Sequence, residues 1–498
     1  MNIAKRLRAA AAGALLAPAA VALAAGQAHA VVKAADTAAS ATTLAQVRSA
    51  IGADTGTAAT LTGKGVGVAL IDTGVASVSG LPAAQIVNGP DLSFESQAAN
   101  LRYLDTYGHG THMAGIIVGN DTATGTKGIA PGVKLTSLKI GTSTGAVDVS
   151  QMIAAIDWVV AHRNDDAANP IKVLNLSYGS GGSGQSWTDP LQFAVEKAWQ
   201  AGIVVVAAAG NNGNAAGTLT NPAVDDWVLA VGATATNGTT ATADDTLATF
   251  TNLASTTTAG VAGQVDLLAP GTSIASLRVP GSNVDNLYPS ARVGETLFKG
   301  SGTSQATAVV TAAAALVLQA KPAATPNQVK DWLVKGATPL GTGTAKTLGL
   351  ATLNVNGALA RTGTTVATPS LSWSSGTGSI QGSRGTSSLT LDGVKLTGER
   401  TIWGSFNGAL WAKSTTPSWS GGSWRGYQIA GNDWTGTSWA SRTWAPATWA
   451  AAPWAGSAAT GWSDPAWSGR TWSGRTWSAG TWSGRTWSSD GWAGGTWS

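Results

Sequence analysis

The sequence predicts an α/β fold for its middle region, about residues 60–361, with a mostly parallel, twisted sheet flanked by helices. One observation is a series of short, continuous apolar runs, which are typical of strands buried on both faces. These runs are Val66–Ile71, Val173–Leu176, Ile203–Ala207 and Val228–Val231. The other observation is that helical patterns lie between the runs. Strands that alternate with helices form parallel sheets with right-handed crossovers.

Two helices are predicted from the spacing of apolar residues. The first covers residues 150–162, has Ser150 as its predicted N-cap and presents one apolar face made of Ile153, Ile156, Val159 and Val160. The second covers residues 191–201.

The composition excludes several classes of protein and site. None of the 498 residues is a cysteine, so disulfides and thiolate metal sites are excluded. Only 11% of the residues are charged, and the net charge of +4 comes without a basic cluster that would grip phosphates, so we predict no nucleic-acid partner. The 43% of hydrophobic residues are enough to bury a large core.

The N-terminus has the pattern of a signal peptide spanning residues 1–30. Lys5, Arg6 and Arg8 precede an apolar run over residues 9–25, and Ala28-His29-Ala30 gives a small-x-small cleavage site. The alternative is a membrane anchor, but a run of about 17 residues is short for a span, and Pro18 interrupts it. We therefore expect a secreted, extracellular protein with no membrane span after signal cleavage.

The scarcity of histidine narrows the search for a catalytic base. Of the four histidines, His29 lies in the predicted signal peptide and His162 ends a predicted helix. The remaining two, His109 and His112, lie in the segment Gly-His-Gly-Thr-His-Met-Ala-Gly that opens an apolar helix. The His-x-x-His spacing also admits a metal pair, but no cysteine or acidic residue in helical register supplies further zinc ligands.

Asp72 lies in Leu-Ile-Asp-Thr-Gly at the carboxyl end of the first predicted strand, where open α/β sheets bind ligands. Asp-Thr-Gly also occurs in aspartic proteases, which need two such carboxylates sharing a proton. The only other candidate, Asp105, lacks the pattern and directly precedes the histidine segment. The single carboxylate fits better as a group that orients a histidine.

Ser304 and Asn211 are the remaining candidates for chemistry. Ser304 lies in Gly-Thr-Ser-Gln-Ala at the start of a small-residue helix, where unpaired backbone N–H groups favour a nucleophile and a developing oxyanion. The alternative is that Ser304 is only an N-cap. Asn211 follows a buried strand, and its amide can donate to an oxyanion. Its neighbour Asn212 fits better as a loop residue.

Taken together and in this order, the four motifs resemble the subtilase family of serine peptidases over residues 47–361. The resemblance implies that Asp72 orients the imidazole, His109 is the general base and Ser304 is the nucleophile. It also implies that Asn211 and the Ser304 backbone N–H form the oxyanion hole, and that His112 is structural. The expected activity is hydrolysis of protein or peptide substrates by a secreted endopeptidase that requires no cofactor, with Ca²⁺ as a possible structural ion.

The resemblance also implies two walls for the substrate backbone, which would lie between them as an added strand. We call residues 175–179 the binding strand and residues 138–145 the facing segment. The predicted substrate-binding residues are Ser177, Tyr178, Gly179, Gly141, Gly145, Ala208 and Gly210. The chain departs from the family pattern at Gln305 and Ala308, where methionine and proline are usual, but alanine continues a helix better than proline.

The C-terminal part has a different composition, rich in Gly, Ser, Thr and Trp. The predicted organisation is a signal peptide (1–30), a short N-terminal segment (31–46), the peptidase domain (47–361), a linker (362–372) and a Trp-rich repeat region (373–498). This last region is predicted to be β-rich or partly disordered. Eighteen of the 23 tryptophans follow residue 370, and most recur every five residues. Residues 389–396 are predicted to form a hairpin with an Asp-Gly turn.

The Trp-rich repeats have several possible roles. Tryptophan interleaved with Ser, Thr and Arg suits sugars, so we expect attachment to a cell wall or glycan. The alternatives are a spacer, a self-association segment or a tail used in secretion. The rival to an enzyme is an inactive subtilase scaffold that binds a cell surface or glycan through these repeats.

Overall fold

The computed structural model describes residues 41–428 with gaps. The residues not described within that span are 98–99, 123, 183–186, 255–263, 342, 364–371, 388, 392–393, 421–422 and 426. The predicted signal peptide and all of the five-residue Trp repeats from Trp434 onward lie outside the described residues. Most of the predicted linker (362–372) also lies outside the described residues.

A parallel sheet forms the centre of the structure. The strands of the α/β domain are, in chain order, β1 Gly67–Asp72, β2 Ile86–Asp91, β3 Asn120–Asp121, β4 Thr126–Lys127, β5 Lys134–Lys139, β6 Ile171–Leu176, β7 Val204–Ala208, β8 Leu229–Ala235, β9 Thr246–Leu247, β10 Leu267–Pro270, β11 Ile274–Leu277, β12 Arg292–Val293, β13 Leu297–Gly300, β14 Thr338–Pro339 and β15 Ala351–Thr352. The main sheet has the order β14-β15-β10-β8-β7-β6-β1-β5-β2, with β9 on β8. Within it, the β14–β15 and β8–β9 pairs are antiparallel, and the other strand pairs formed by the described residues are parallel. The predicted fold class is therefore confirmed.

Helices cover both the sheet and its connections. They are α1 Leu44–Ala50, α2 His109–Val118, α3 Val149–His162, α4 Pro190–Gln200, α5 Asn283–Leu287, α6 Thr303–Ala320, α7 Pro326–Lys335, α8 Gly343–Thr347, α9 Val355–Leu359, α10 Ile380–Arg384 and α11 Gly408–Ala412. Short 3₁₀ turns span Gly56–Thr60, Ala83–Gln85, Phe94–Gln97 and Pro289–Ala291. The alanine-rich α6 packs on β6, β7, β8 and β10, because small side chains allow close approach to the sheet on one side and to other helices on the other.

Among the described residues, α6 is long and apolar enough to cross a membrane by length and composition. Its most apolar stretch is 89% buried inside the protein. It is thus placed as the core helix of the α/β domain.

The four predicted strands are present as β1, β6, β7 and β8, with ends that differ by a few residues. The prediction that Ser150 caps α3 is wrong. The N-cap is Asp148, whose carboxylate accepts from the Ser150 backbone N–H at 3.0 Å, while Gln151 returns a bond to the Asp148 backbone N–H at 2.7 Å. A carboxylate three residues before a glutamine makes this reciprocal box, and it displaces the hydroxyl of Ser150 from the capping position.

Residues 372–428 pack against the α/β domain. Ile380, Trp403 and Trp424 belong to the same hydrophobic core as the central sheet. Short hairpins complete this segment, formed by β16 Thr390–Leu391 with β17 Val394–Lys395, β18 Arg400–Thr401 with β19 Gly404–Ser405, and β20 Trp419–Ser420, β21 Ser423–Trp424 and β22 Tyr427–Gln428. The hairpin predicted at residues 389–396 is confirmed by the β16–β17 pairing.

Tryptophan N–H groups tie this segment to α3. The Nε1 atoms of Trp411 and Trp424 both donate to the Asp157 carboxylate, at 2.9 and 2.8 Å. Trp419 Nε1 donates to the Ala154 carbonyl at 2.8 Å. Burial raises the pKa of Asp157, and the two indole bonds act against that rise. The first tryptophans of the predicted repeat region therefore have polar partners as well as apolar contacts.

Candidate active site

Asp72 ends β1 in the middle of the sheet, between β5 and β6. Its carboxyl group is buried, with the residue 1% exposed. Oδ1 accepts from the backbone N–H of Thr73 at 2.7 Å. A carboxylate in this place has a fixed direction, because it ends a strand that is hydrogen-bonded on both sides.

His109 is the first residue of α2, and its Nδ1 lies 2.7 Å from Oδ1 and 3.0 Å from Oδ2 of Asp72. An ionised carboxylate can only accept, so Nδ1 carries the proton of this contact. In a neutral imidazole, the acceptor lone pair then belongs to Nε2. Asp72 therefore selects the tautomer that a general base needs.

Two glycines allow the start of α2 to lie close to the end of β1. Gly108 has a φ of +105°, which L side chains rarely adopt. At Gly110, a Cβ would lie 2.1 Å from the carbonyl oxygen of Gly74 and 3.1 Å from Oδ1 of Asp72. The Gly-His-Gly sequence thus gives α2 a start that reaches the end of β1 directly.

Asp105 holds the first turn of α2, whose N-cap is Gly108, rather than pairing with Asp72 as a second protease carboxylate. It accepts from the backbone N–H groups of Gly108 and Thr111, each at 2.7 Å, and from the Thr111 hydroxyl at 2.7 Å. The Thr73 hydroxyl also donates to it, at 2.8 Å, and accepts from Gly110 N–H at 2.9 Å. This network joins the loop after Asp72 to the turn that carries His109.

An ammonium group neutralises the carboxylates beside this network. Lys139 is buried, and its Nζ lies 2.9 Å from Glu95 Oε2 and donates to the carbonyls of Thr73 and Leu104 at 3.0 and 2.5 Å. The charge of Lys139 also opposes the rise in pKa that burial causes at Asp91 and Asp105. The Lys139 ammonium therefore pairs with Glu95 within this acidic group.

Calcium is the structural ion that the family resemblance suggests. Over the described parts of the chain, no group of three or more His, Cys, Asp or Glu side chains could hold a metal ion. The acidic residues near His109 do not fit calcium, since Asp72 holds His109, Glu95 is paired with Lys139, and Asp105 accepts from Gly108, Thr111 and Thr73. The described residues thus assign no calcium ligand.

His112 is buried in α2, one helical turn after His109. Its Nε2 lies 3.2 Å from the Ile274 carbonyl and 3.0 Å from the Phe298 carbonyl. Burial lowers the pKa of His112 to about 3, and the charge of His109 contributes to the same direction. A neutral His112 thus joins α2 to the β11–β13 pair, which leads into the Ser304 segment.

Ser304 is the second residue of α6, and it is not the cap of that helix. The N-cap is Gly302, which has no side chain to cap the helix. The Ser304 hydroxyl lies 3.5 Å from the Ser177 carbonyl oxygen. In the first turn of a helix the backbone N–H groups are not used by the helix itself, so that of Ser304 is available to an oxyanion.

Asn211 follows β7 and faces the start of α6. Its Oδ1 accepts from both the backbone N–H and the hydroxyl of Thr303, each at 2.9 Å. Its Nδ2 is buried with no hydrogen-bond partner among the residues that the structure describes. A buried donor of this kind costs free energy unless a ligand uses it, which is typical of functional sites.

The segments predicted to form the two walls contact Ser304 and Asp72, respectively. In the binding strand, Asn175 Nδ2 donates to Ser177 Oγ at 2.9 Å, and Ser177 Oγ donates to the Ser304 carbonyl at 3.1 Å. Gly179 lies against Thr220, whose Oγ1 would be 2.3 Å from an added Cβ. Close packing therefore fixes the strand relative to Ser304.

The facing segment leaves β5 and turns back at Gly145, where φ is +73°. The Gly145 N–H donates to the Thr142 carbonyl at 2.8 Å, and Gly141 N–H contacts the Asp72 carbonyl at 3.4 Å. Ala208 ends β7, and its carbonyl accepts from the Thr220 hydroxyl at 3.0 Å. Gly210 N–H donates to the Thr303 hydroxyl at 3.2 Å. All seven predicted substrate-binding residues thus lie on segments that border Asp72, Asn211 or Ser304.

Sequence reasoning missed several residues that orient this site. Thr303 holds Asn211, and it stands directly beside Ser304 in the motif. Lys139 ends β5, but nothing in the sequence pairs it with Glu95. Gln305, one of the two departures from the family pattern, is buried with no partner for either amide atom among the described residues. Nothing in the structure explains that choice of residue.

Comparison with known proteins gives consistent matches. The model of the subtilase family matches residues 63–374. The serine protease AprX of Bacillus subtilis is 38% identical over 283 residues, which are 56% of this chain and 62% of AprX. Subtilisin DY of Bacillus licheniformis is 35% identical over 56% of this chain and 86% of its own length. The chain thus spans less than two thirds of AprX. The crystal structure of a cold adapted subtilisin-like serine proteinase matches 59% of this chain and 88% of its own, at 30% identity and a TM-score of 0.44.

Proposed function

The chain belongs to the subtilase family of serine-type endopeptidases, and we propose that it hydrolyses peptide bonds in proteins through a Ser304–His109–Asp72 triad. The observation that carries this proposal is the contact of 2.7 Å between His109 Nδ1 and Asp72 Oδ1, both buried at the carboxyl edge of the sheet. It selects the imidazole tautomer whose Nε2 can accept a proton from a serine hydroxyl.

The reaction would proceed through an acyl-enzyme. His109 Nε2 takes the hydroxyl proton as Ser304 Oγ forms a bond to the scissile carbonyl carbon. The carbonyl oxygen becomes an oxyanion, which accepts hydrogen bonds from the Ser304 backbone N–H and Asn211 Nδ2. The C–N bond then breaks, and His109 gives the proton to the leaving amine. Water repeats the two steps on the ester, releasing the acid and restoring Ser304.

Protein or peptide substrates would bind as an added strand between the binding strand and the facing segment. The backbone of an extended peptide can pair on both sides there, which gives affinity without a demand on side-chain identity. Ser177, Tyr178 and Gly179 would line one side, and Gly141 and Gly145 the other. Ala208 and Gly210 would border the residue next to the scissile bond.

The terminal regions support two finer proposals. The N-terminal signal pattern supports secretion to the extracellular space. The five-residue Trp repeats support attachment to a cell wall or glycan, since tryptophan faces with interleaved polar residues suit sugars. A pulldown of residues 429–498, fused to a carrier, on wall polysaccharide tests the second proposal. Retention that equals the carrier alone would remove it.

The catalytic proposal is tested with casein and a fluorophosphonate probe. The secreted protein is expected to release peptides from casein and to become labelled at Ser304. The matched control is Ser304→Ala, which should lose both while keeping the same circular dichroism spectrum and Tm. A folded native protein that neither cleaves casein nor takes the probe would instead support the rival, an inactive scaffold that binds a surface through its repeats.

A further inference from the structure

The binding strand and the facing segment, which form the two walls of the proposed substrate cleft, are both held by the segment that follows the α/β domain, residues 372–428. Beyond Tyr178 and Gly179, the binding strand continues to Ser180 and Gly181. The Ser180 hydroxyl donates to the Ser383 carbonyl at 2.6 Å, and Gly181 N–H donates to Ser387 Oγ at 2.9 Å. α10 and the turn after it thus fasten the far end of the binding strand.

Arg384, the last residue of α10, holds the facing segment. Its Nε and Nη2 donate to the two oxygens of Asp148, at 2.6 and 3.2 Å. Asp148 is the N-cap of α3, three residues after Gly145, so this bidentate pair fixes the point where the facing segment enters the helix. Both side chains are fully buried.

The remaining donors of Arg384 bind its own segment. Nη1 donates to the Gly398 carbonyl at 2.8 Å, and Nη2 also donates to the Arg400 carbonyl. The guanidinium is therefore locked into a fixed orientation by its own segment. The planar fork and the Asp148 carboxylate are thus fixed relative to each other.

Tyr178 joins the two walls. Its ring is buried, and its hydroxyl is hydrogen-bonded to Ser180 and interacts with the charges of Asp148, Arg384 and Asp189. Asp189 in turn accepts from the Ser383 hydroxyl at 2.8 Å. The hydroxyl of a predicted substrate-binding residue thus interacts with the charged groups that residues 383–384 complete.

We propose that Arg384 is a positioning residue that sets the separation of the two walls, and so controls the binding of long peptides. This inference rests on the proposed function. Ser180 follows Ser177, which contacts Ser304, by three residues, so the two lie at most about 10 Å apart along the chain. A substrate that binds as an added strand therefore reaches Ser180, which residues 383–387 hold in place, three or four residues from its scissile bond. Contacts at the scissile bond itself lie outside the reach of Arg384.

The test compares a short ester of one amino acid with a peptide that has four residues before its scissile bond. Rates are divided by the number of active sites that a fluorophosphonate titrates, so that misfolded protein does not count. With Arg384→Met, the KM of the peptide is expected to rise about tenfold, as for the loss of a charge-assisted hydrogen bond. The kcat/KM of the ester should stay unchanged. Arg384→Lys keeps the charge without the fork, folds more readily and should raise the peptide KM less.

Trp411→Phe is the matched control. It removes the bond from the same segment to Asp157 at 2.9 Å, away from both walls, and keeps an aromatic ring. A purely structural role for Arg384 would leave the peptide KM of the titrated sites unchanged or lower ester and peptide turnover equally, and a role shared by the whole segment would give the same selective loss with Trp411→Phe. Either result would overturn the proposal.

A binding measurement separates this proposal from the proposed function. The same peptide, carrying a fluorophore, is titrated against two forms of the full chain, the Ser304→Ala variant and the double variant that also carries Arg384→Met. A tenfold weaker Kd in the double variant supports the positioning role of Arg384 even if the native protein cleaves nothing. Equal Kd values, together with normal cleavage by the native protein, would overturn the positioning role of Arg384 and leave the proposed function standing.

Discussion

Thr303 donates two hydrogen bonds to one atom of Asn211. Its backbone N–H and its hydroxyl each lie 2.9 Å from Asn211 Oδ1. The same hydroxyl accepts from Gly210 N–H at 3.2 Å, so its proton is directed toward Asn211. Because Oδ1 is occupied, the amide plane is fixed and Nδ2 has one direction. A donor oriented before the reaction stabilises developing charge without having to reorganise.

Removing this donor is expected to slow the chemical step without weakening binding. Asn211→Ala should lower kcat by about 10²–10³-fold with little change in KM, because the amide is needed only when the oxyanion forms. Thr303→Val leaves one of the two bonds to Oδ1 and should cost about tenfold. Steady-state kinetics on one peptide measure both. Asn212→Ala is the neighbouring control, and an equal kcat loss in that variant would show that the loop, not the Asn211 amide, matters.

A methyl group at Gly110 is expected to disturb the contact between His109 and Asp72. The added Cβ would lie 2.1 Å from the Gly74 carbonyl oxygen, so the start of α2 must move away from β1. A displacement of about 1 Å in a catalytic pair costs about 10²-fold in rate. Gly110→Ala should therefore lower kcat/KM by that order and reduce Tm.

The control for this change is Gly341→Ala, where an added Cβ meets no atom within 4 Å. Its kcat/KM and Tm should match those of the native protein. If Gly110→Ala were equally silent, the close packing of α2 on the loop after Asp72 would not be what aligns the triad.

The sequence points to the proposed catalytic residues because each stands at the end of a regular element. Asp72 ends a strand and Ser304 starts a helix, and such ends meet at one edge of a parallel sheet. Their local motifs therefore report both the element and the chemistry. The order Asp, His, Asn, Ser adds a resemblance that no single motif carries.

What the sequence does not predict depends on contacts between distant parts of the chain. Arg384 and Asp148 are 236 residues apart, and either could have been a surface charge. The predicted cap of α3 was wrong for a related reason, since Ser150 fits the apolar periodicity while Asp148 fits the reciprocal bonds with Gln151. Periodicity locates a helix face, but the end of the helix is set by hydrogen bonds.

Stability is expected to fall with rising pH because of the buried pair Glu196 and Asp225. Burial is the main cause that raises the pKa of Glu196 to about 9 and that of Asp225 to about 7, and the negative charge of Asp225 adds to the rise at Glu196. Both native pKa values exceed those of the unfolded chain, so the native state holds more protons between about pH 4 and 9. The free energy of unfolding therefore decreases as pH rises through this window.

Glu196→Gln should flatten this dependence. The amide can still donate to Asp225 and accept from the Ser374 N–H, which contacts Glu196 Oε2 at 2.6 Å in the native protein. The variant is expected to match native stability near pH 5 and to exceed it at pH 9, as measured by urea unfolding. Glu295→Gln removes an exposed carboxylate and should follow the native curve. Parallel curves for all three proteins would contradict the assignment of the pH effect to this pair.

Removal of residues 372–428 is expected to destabilise the α/β domain itself. A chain that ends at residue 371 leaves Asp148 buried without Arg384, and Asp157 without the indole N–H groups of Trp411 and Trp424. Breaking one buried ion pair by removing a partner costs about 3–5 kcal/mol, which alone lowers Tm by several degrees. The loss of Trp403 and Trp424 from the shared core adds to this cost.

The matched truncation ends at residue 430 and keeps every contact just named. Its Tm is expected to lie close to that of the full chain at the same scan rate, whereas the chain ending at 371 should unfold at a clearly lower temperature. Such a difference means that the segment after the α/β domain belongs to the folding unit. Equal Tm values for the two truncated chains would mean that Asp148 and Asp157 find water or other partners once the segment is gone. In that case Arg384 could not hold the facing segment in place, because its partner would be stable without it.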